Sequence, residues 1–151
     1  MQVWFFMAEN NNEEILLLKK EVNYAVKLLT NGQINEALKI VEALIKKSPK
    51  VPLLYNIRGV CYQTIRELGN AIDDFSQATI LKSDYAEAYC NLGVTYQEKG
   101  DLVSAVNAYK NAIDNDNNYP TAHNNLGKIF LASGEIDSSI KHLECAITLK
   151  S

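Results

Sequence analysis

The chain is 151 residues long, with 47% hydrophobic and 22% charged residues, an ordinary globular balance with enough apolar content for a domain-sized core. A count of 15 basic against 18 acidic residues leaves a net charge of -3, too weak and too mixed to draw a phosphate backbone, so nucleic acid is not an expected partner. The cysteines Cys61, Cys90 and Cys145 are odd in number and never form a CxxC pair, which argues against a disulfide framework or a thiolate zinc site and makes a reducing cytoplasm the expected setting.

In chain order, residues 1–17 form a leader and the start of an extended first helix. The apolar run Val3 to Met7 (VWFFM) lacks a basic flank and falls far short of the roughly 20 residues a bilayer span needs, so neither a signal peptide nor a membrane partner is expected. It reads as a segment loosely packed on the first hairpin or disordered. The sharper alternative makes Trp4, Phe5 and Phe6 an apolar plug that enters a groove. Asn10, Asn11 and Asn12 offer a cap ahead of Glu13 and Glu14, whose charges suit the positive end of a helix dipole. The first helix is therefore predicted from about Glu13 to Thr30, through Ile15, Leu18, Val22, Ala25 and Leu29.

Beyond the leader the sequence repeats at an offset of 34: Gly59, Gly93 and Gly127 form one column. Ala37, Ala71 and Ala105 with Ser139 form a second, and Val41, Phe75, Tyr109 and Leu143 a third. Ala78, Ala112 and Ala146 complete the set. The units are 18–51, 52–85, 86–119 and 120–151. Within the third, Tyr89, Leu92, Gly93 and Tyr96 follow an i, i+3, i+4, i+7 stripe, which resumes after Gly100-Asp101 with Leu102, Ala105, Tyr109 and Ala112, predicting helix, turn, helix. Gly32, Gly100 and Gly134 fall where a first helix must stop and positive φ is needed. Pro49 ends its unit, while Pro52 and Pro120 open helices at the position where a missing amide hydrogen matters least.

Tyr89-x2-Leu92-Gly93-x2-Tyr96 with Ala105-x3-Tyr109 and Ala112 resembles the tetratricopeptide (TPR) signature. His123-x2-Leu126-Gly127-x2-Phe130 with Ala146 does so too, as does Tyr55-x2-Arg58-Gly59-x2-Tyr62 with Ala71, Phe75 and Ala78. The resemblance implies an all-α, right-handed superhelical solenoid of antiparallel helix pairs. Glu21 and Ala25 depart from the pattern and mark the first unit as a divergent end repeat. In the last unit Ser139 replaces alanine and no capping helix follows, so Leu143, Ala146 and Ile147 are expected to be partly uncovered.

Catalytic and metal chemistry finds little footing. His123 stands where the sister units carry tyrosine and His142 on an expected outer face, neither within a ligand motif, so both read as packed or solvated. Asp114 to Asn118 mimics a calcium loop, but Tyr119 and Asn125 occupy the positions that demand glycine and a bidentate glutamate, leaving a polar turn as the reading. Asp73 and Asp74 are neighbours on one helix, diverge by about 100 degrees and read as surface charges. No enzyme activity, cofactor or metal site is expected.

A protein or peptide partner is expected instead, held on the concave side that first helices line when such hairpins stack. Aligned on the glycine column, Asn23, Asn91 and Asn125 form one row, with Ile57 interrupting it and Asn56 one position earlier. Val26, Val60, Val94 and Lys128 flank it, followed by Leu29, Gln63, Gln97 and Leu131. Asn124 adds a further amide, and apolar contacts are expected near Val22, Val26 and Val60. Amides can pair with the backbone of an extended segment whatever its side chains. The row, and Ala86 to Gly93 above all, is similar to the asparagine ladder of the O-linked N-acetylglucosamine transferase superhelix. That likeness implies substrate or adaptor holding at most, and asparagine at this position also serves structural roles across the family; a second expectation, the recognition arm of a larger transferase, is motivated by the missing end cap of the last unit. A carboxylate clamp of the kind that binds heat-shock chaperones is not expected, because Glu87, Asn91, Thr121 and Asn125 occupy its basic positions. A third expectation is end-to-end homo-oligomerisation through the last hairpin.

Overall fold

The computed structural model describes residues 2–150, with side chains described from Asn12 onward. It contains α1 (Gln2–Thr30), α2 (Ile34–Lys47), α3 (Pro52–Thr64), α4 (Leu68–Leu81), α5 (Ala86–Lys99), α6 (Leu102–Asn115), α7 (Pro120–Ala132) and α8 (Ile136–Thr148). No strand occurs among the described residues. The expected cap at Asn10 to Asn12 is overturned, because α1 begins at Gln2 and runs through all three asparagines. Neither glycine nor proline interrupts residues 2–31. An asparagine inside a helix costs at most about 0.7 kcal/mol, too little to stop it. The side chains of Val3 to Met7, and both readings of that run, lie outside the described residues.

Four turns of one design join each first helix to its second. Gly32, Gly100 and Gly134 adopt φ of 79, 87 and 79°. The next residue's amide reaches back to close the helix end: Gln33 N to Leu28 O, Asp101 N to Tyr96 O and Glu135 N to Phe130 O, each at 2.9 Å. This is the Schellman closure, and it requires the left-handed conformation that glycine adopts without steric cost. In the second unit Arg66 takes the glycine's place at φ 67°, with the same closing bond from Glu67 N to Tyr62 O. A side chain there costs about 1–2 kcal/mol. The exposed Arg66–Glu98 ion pair at 2.7 Å offsets only part of this.

Within each hairpin the glycine column explains the aromatic column. A Cβ on Gly59 would lie 2.6 Å from Phe75 Cε1, one on Gly93 2.5 Å from Tyr109 Cε1, and one on Gly127 2.7 Å from Leu143 Cγ. The bare glycine lets a large side chain lie against the opposing backbone, a close approach that ties the two helices together. The first unit uses the reciprocal solution: Ala25 replaces glycine and the smaller Val41 replaces the aromatic, and both are fully buried in one apolar cluster. Ser139 also fits, since its hydroxyl donates to Gly127 O at 2.8 Å from inside the α7/α8 seam.

Two expectations change in the body of the stack. Asp74 is no surface charge: it is 4% exposed and accepts two bonds of 2.7 Å from Arg58 Nε and Nη2. Arg58 stands in the column that holds Leu92 and Leu126, and its guanidinium lies between the rings of Tyr55 and Tyr62, 5.7 and 5.9 Å from their centroids. The bond to Asp74, ahead of every other influence, raises the Arg58 pKa and holds the group charged. Ala146 is buried because its column faces α7, whereas Leu143 is half-buried and Ile147 is 68% exposed. Ile136, Ile140 and Ile147 lie along one exposed face of α8.

Each hairpin stacks on the next through its second helix, α2 on α3, α4 on α5 and α6 on α7. First helices also touch in sequence, α1 to α3, α3 to α5 and α5 to α7, while no two second helices meet among the described residues. A stack whose first helices are the closer set curves toward them, which puts α1, α3, α5 and α7 on the concave side.

Candidate functional site

The concave face is built from side chains one to four positions away from the glycine column. Because that column, Gly59, Gly93 and Gly127 with Ala25 in the first unit, is packed against the second helices, the rotation of each first helix is fixed, and the residues on its far side point away from the hairpin seam. Asn23 and Lys128 are exposed there, while Val60, Val94, Gln97, Asn91, Asn124 and Asn125 are half-buried. Val26 and Leu131 are 38% and 54% exposed on the same side. Val22, expected as an apolar contact, is instead part of the core at 8% exposure.

The amides are not all independent. Asn56 is 2% exposed and fully engaged: Nδ2 donates to Glu87 Oε1 at 3.0 Å and Oδ1 accepts from Asn91 Nδ2 at 3.0 Å. It therefore joins α3 to α5 and offers little to a guest. A second chain runs through the buried Tyr109 hydroxyl, which donates to Gln97 Oε1 at 3.0 Å and accepts from Asn125 Nδ2 at 3.1 Å, joining α5, α6 and α7. Burial drives the Tyr109 pKa well above its ordinary value, so the hydroxyl keeps its proton. In both chains the asparagine amide nitrogen is spent inward. The Oδ1 atoms of Asn91 and Asn125 take no hydrogen bond among the described residues.

The structure brings together Asn56 with Asn91, and Gln97 with Asn125. Asn23, Asn124 and Lys128 stand apart from these chains. Sequence reasoning misses two contributors. Glu98 binds Gln63 Nε2 at 3.2 Å and Arg66 Nη1 at 2.7 Å across the second and third units. The other is a depression of about 360 Å³ at the α1/α3 end, walled by Ile15, Leu18, Val22, Val51 and Leu53 with Lys19 and Asn23 at its rim. The consecutive Ile15 to Leu18 run hints at it, since four adjacent apolar residues cannot all face one seam.

Among the described residues no group of three or more His, Cys, Asp or Glu side chains is placed to hold a metal ion. The turn after α6 satisfies itself, with Asp116 Oδ1 accepting from Asn118 N at 3.0 Å. Cys61 and Cys90 are buried free thiols whose pKa values desolvation raises to about 11 and about 12, which keeps them protonated and unreactive. His142 does not sit on an outer face: it is half-buried against His123 and Phe130.

Comparison with known proteins places this architecture. A family model described as TPR repeat matches residues 67–100 and 98–134. Among solved structures, the chain is similar to a crystal structure of MamA, with a TM-score of 0.80 at 23% identity over 88% of this chain and 78% of that one. It is also similar to a thermophilic TPR protein of Thermus thermophilus, with a TM-score of 0.75 at 20% identity over 87% of this chain and 74% of that one. A third is a chain of the APC/C hetero-tetramer Cut9-Hcn1, with a TM-score of 0.78 at 19% identity over 87% of this chain but 27% of that one. Residues 67–134 thus match tetratricopeptide repeats, within an all-α helical-repeat solenoid whose fold these solved structures share. No described helix is long and apolar enough to cross a membrane.

Proposed function

We propose that the concave face holds an extended polypeptide as a non-catalytic scaffold, with the amide oxygens of Asn91 and Asn125 accepting backbone N–H groups of the guest. The observation that carries this reading is the orientation lock: each asparagine is anchored through its nitrogen to Asn56 or Tyr109, leaving an acceptor without a partner among the described residues. Preorganised acceptors lose little side-chain entropy on binding. Asn23, Asn124 and Lys128 extend the polar surface, and Val60, Val94 and Gln97 line its floor. The similarity of Ala86 to Gly93 to the ladder of O-linked N-acetylglucosamine transferase supports the same mode, with a recognition arm of a larger transferase as its variant. Three unpaired cysteines suit a reducing compartment such as the cytoplasm. Against a peptide selected from a random extended library, Asn91→Ala with Asn125→Ala should weaken affinity by about tenfold or more, since two hydrogen bonds of about 0.5–1.5 kcal/mol each disappear. Unchanged affinity in a variant that stays folded would sink the reading.

The face of α8 favours a second mode, end-to-end association of two copies. Ile136 and Ile140 are 50% and 49% exposed one turn apart, on the side where α2, α4 and α6 each receive a following helix. Light scattering should show mass rising with concentration for the parent and staying at one chain for Ile140→Glu; a concentration-independent parent mass refutes this mode.

A further inference from the structure

His123 and His142 face one another across the last hairpin in columns where the second and third units place Tyr55 and Tyr89, and Asp74 and Ala108. Their Nδ1 atoms lie 3.0 Å apart, and His123 Nε2 lies 3.2 Å from Asn117 O. A carbonyl only accepts, so His123 carries its proton on Nε2 and, when neutral, presents a bare Nδ1. The His142 Nδ1–H must then be the donor, a tautomer assigned from the partners. The ring centroids are 5.2 Å apart. With the nitrogens at 3.0 Å, both lie nearly on the line between the rings, the geometry of one shared proton and not of two rings converging on an ion. Phe130 covers the other side of His142, its centroid 5.6 Å away.

We propose that this pair is an acid-sensitive latch that holds α8 against α7 while it shares one proton between neutral rings and loosens when His142 takes up a further proton. That proton puts a charge on His142 at a contact where His123 is only 5% exposed and little water reaches it. The charges facing the pair aggravate this: Lys110 from α6 and Lys141 from α8 itself are both positive. Glu144 and Cys145 line the same depression as His123 without a hydrogen bond to either ring, and Asp116 is engaged with Asn118 N. Burial first, then the neighbouring His123, Lys141 and Lys110, lowers the His142 pKa below its ordinary value of 6.5. A detached His142 therefore takes up a proton more readily than a docked one. Docking is at full strength above about pH 6.5 and weakens as pH falls through that value. Because α8 packs only on α7 among the described helices, its release leaves the rest of the stack in place.

Amide hydrogen exchange on the full chain tests the latch, with α4 as internal reference between about pH 7.5 and about pH 5. Protection of α8 relative to α4 should fall by up to about tenfold per pH unit for one coupled proton. His142→Ala, which copies Ala108, and His123→Tyr, which copies Tyr55 and Tyr89, should stay folded and lose this pH dependence. An α8 whose relative protection is constant with pH in the parent, or equally pH-dependent in both variants, overturns the proposal.

Discussion

Replacing Gly93 by valine should destabilise the protein by about 3 kcal/mol, the upper range for overpacking a filled core. The new Cβ would sit 2.5 and 2.6 Å from Tyr109 Cε1 and Cδ1. The ring cannot swing aside cheaply: Tyr109 is 0% exposed, and its hydroxyl is tied at once to Gln97 on α5 and Asn125 on α7. Valine recovers at most about 0.5 kcal/mol of helix propensity over glycine, far less than the clash costs. Gly69 is the control, because a Cβ there meets nothing within 4 Å, and Gly69→Ala should be neutral or stabilising by up to about 1 kcal/mol. Urea unfolding would read both; a Gly93→Val midpoint equal to the parent's would mean that the two helices do not approach as described.

The second large effect concerns Arg58 and Asp74. Asp74→Ala should cost about 3 kcal/mol, because it leaves a guanidinium inside the hairpin without its counter-charge, at the lower end of the range for buried pairs. The lower end applies because the Arg58 side chain is 23% exposed and retains some water. The double change Arg58→Leu with Asp74→Ala should return to within about 1 kcal/mol of the parent. It installs the Leu92 and Ala108 combination that already packs in the neighbouring apolar cluster. Thermal and urea denaturation of the single and double variants decide the matter, and a double variant no more stable than Asp74→Ala would contradict the account.

These two cases also mark what the sequence can and cannot reveal. The Gly93 and Tyr109 columns are legible because small and large residues recur at one offset, and a fixed offset needs no knowledge of neighbours. Asp74 is misread when its carboxylate is judged against Asp73 on its own helix, because its partner lies 16 residues earlier. The signal is present in the columns: Arg58 departs from Leu92 and Leu126, and Asp74 departs from Ala108, in the same unit. The asparagine row is legible as a row, but the direction of each amide depends on tertiary partners. Only the structure separates Asn56, consumed in joining α3 to α5, from Asn91 and Asn125. The early start of α1 is hidden when capping preference, a local propensity, is read without the absence of any helix breaker around it.

The measurement that bears most directly on the scaffold reading is backbone and side-chain amide NMR of the full chain titrated with the selected extended peptide. Signals of Asn23, Asn91 and Asn125, with their neighbours on α1, α5 and α7, should shift together with one binding constant. Perturbations confined to α2, α4 and α6 would contradict the account, since a guest would then lie on the convex side.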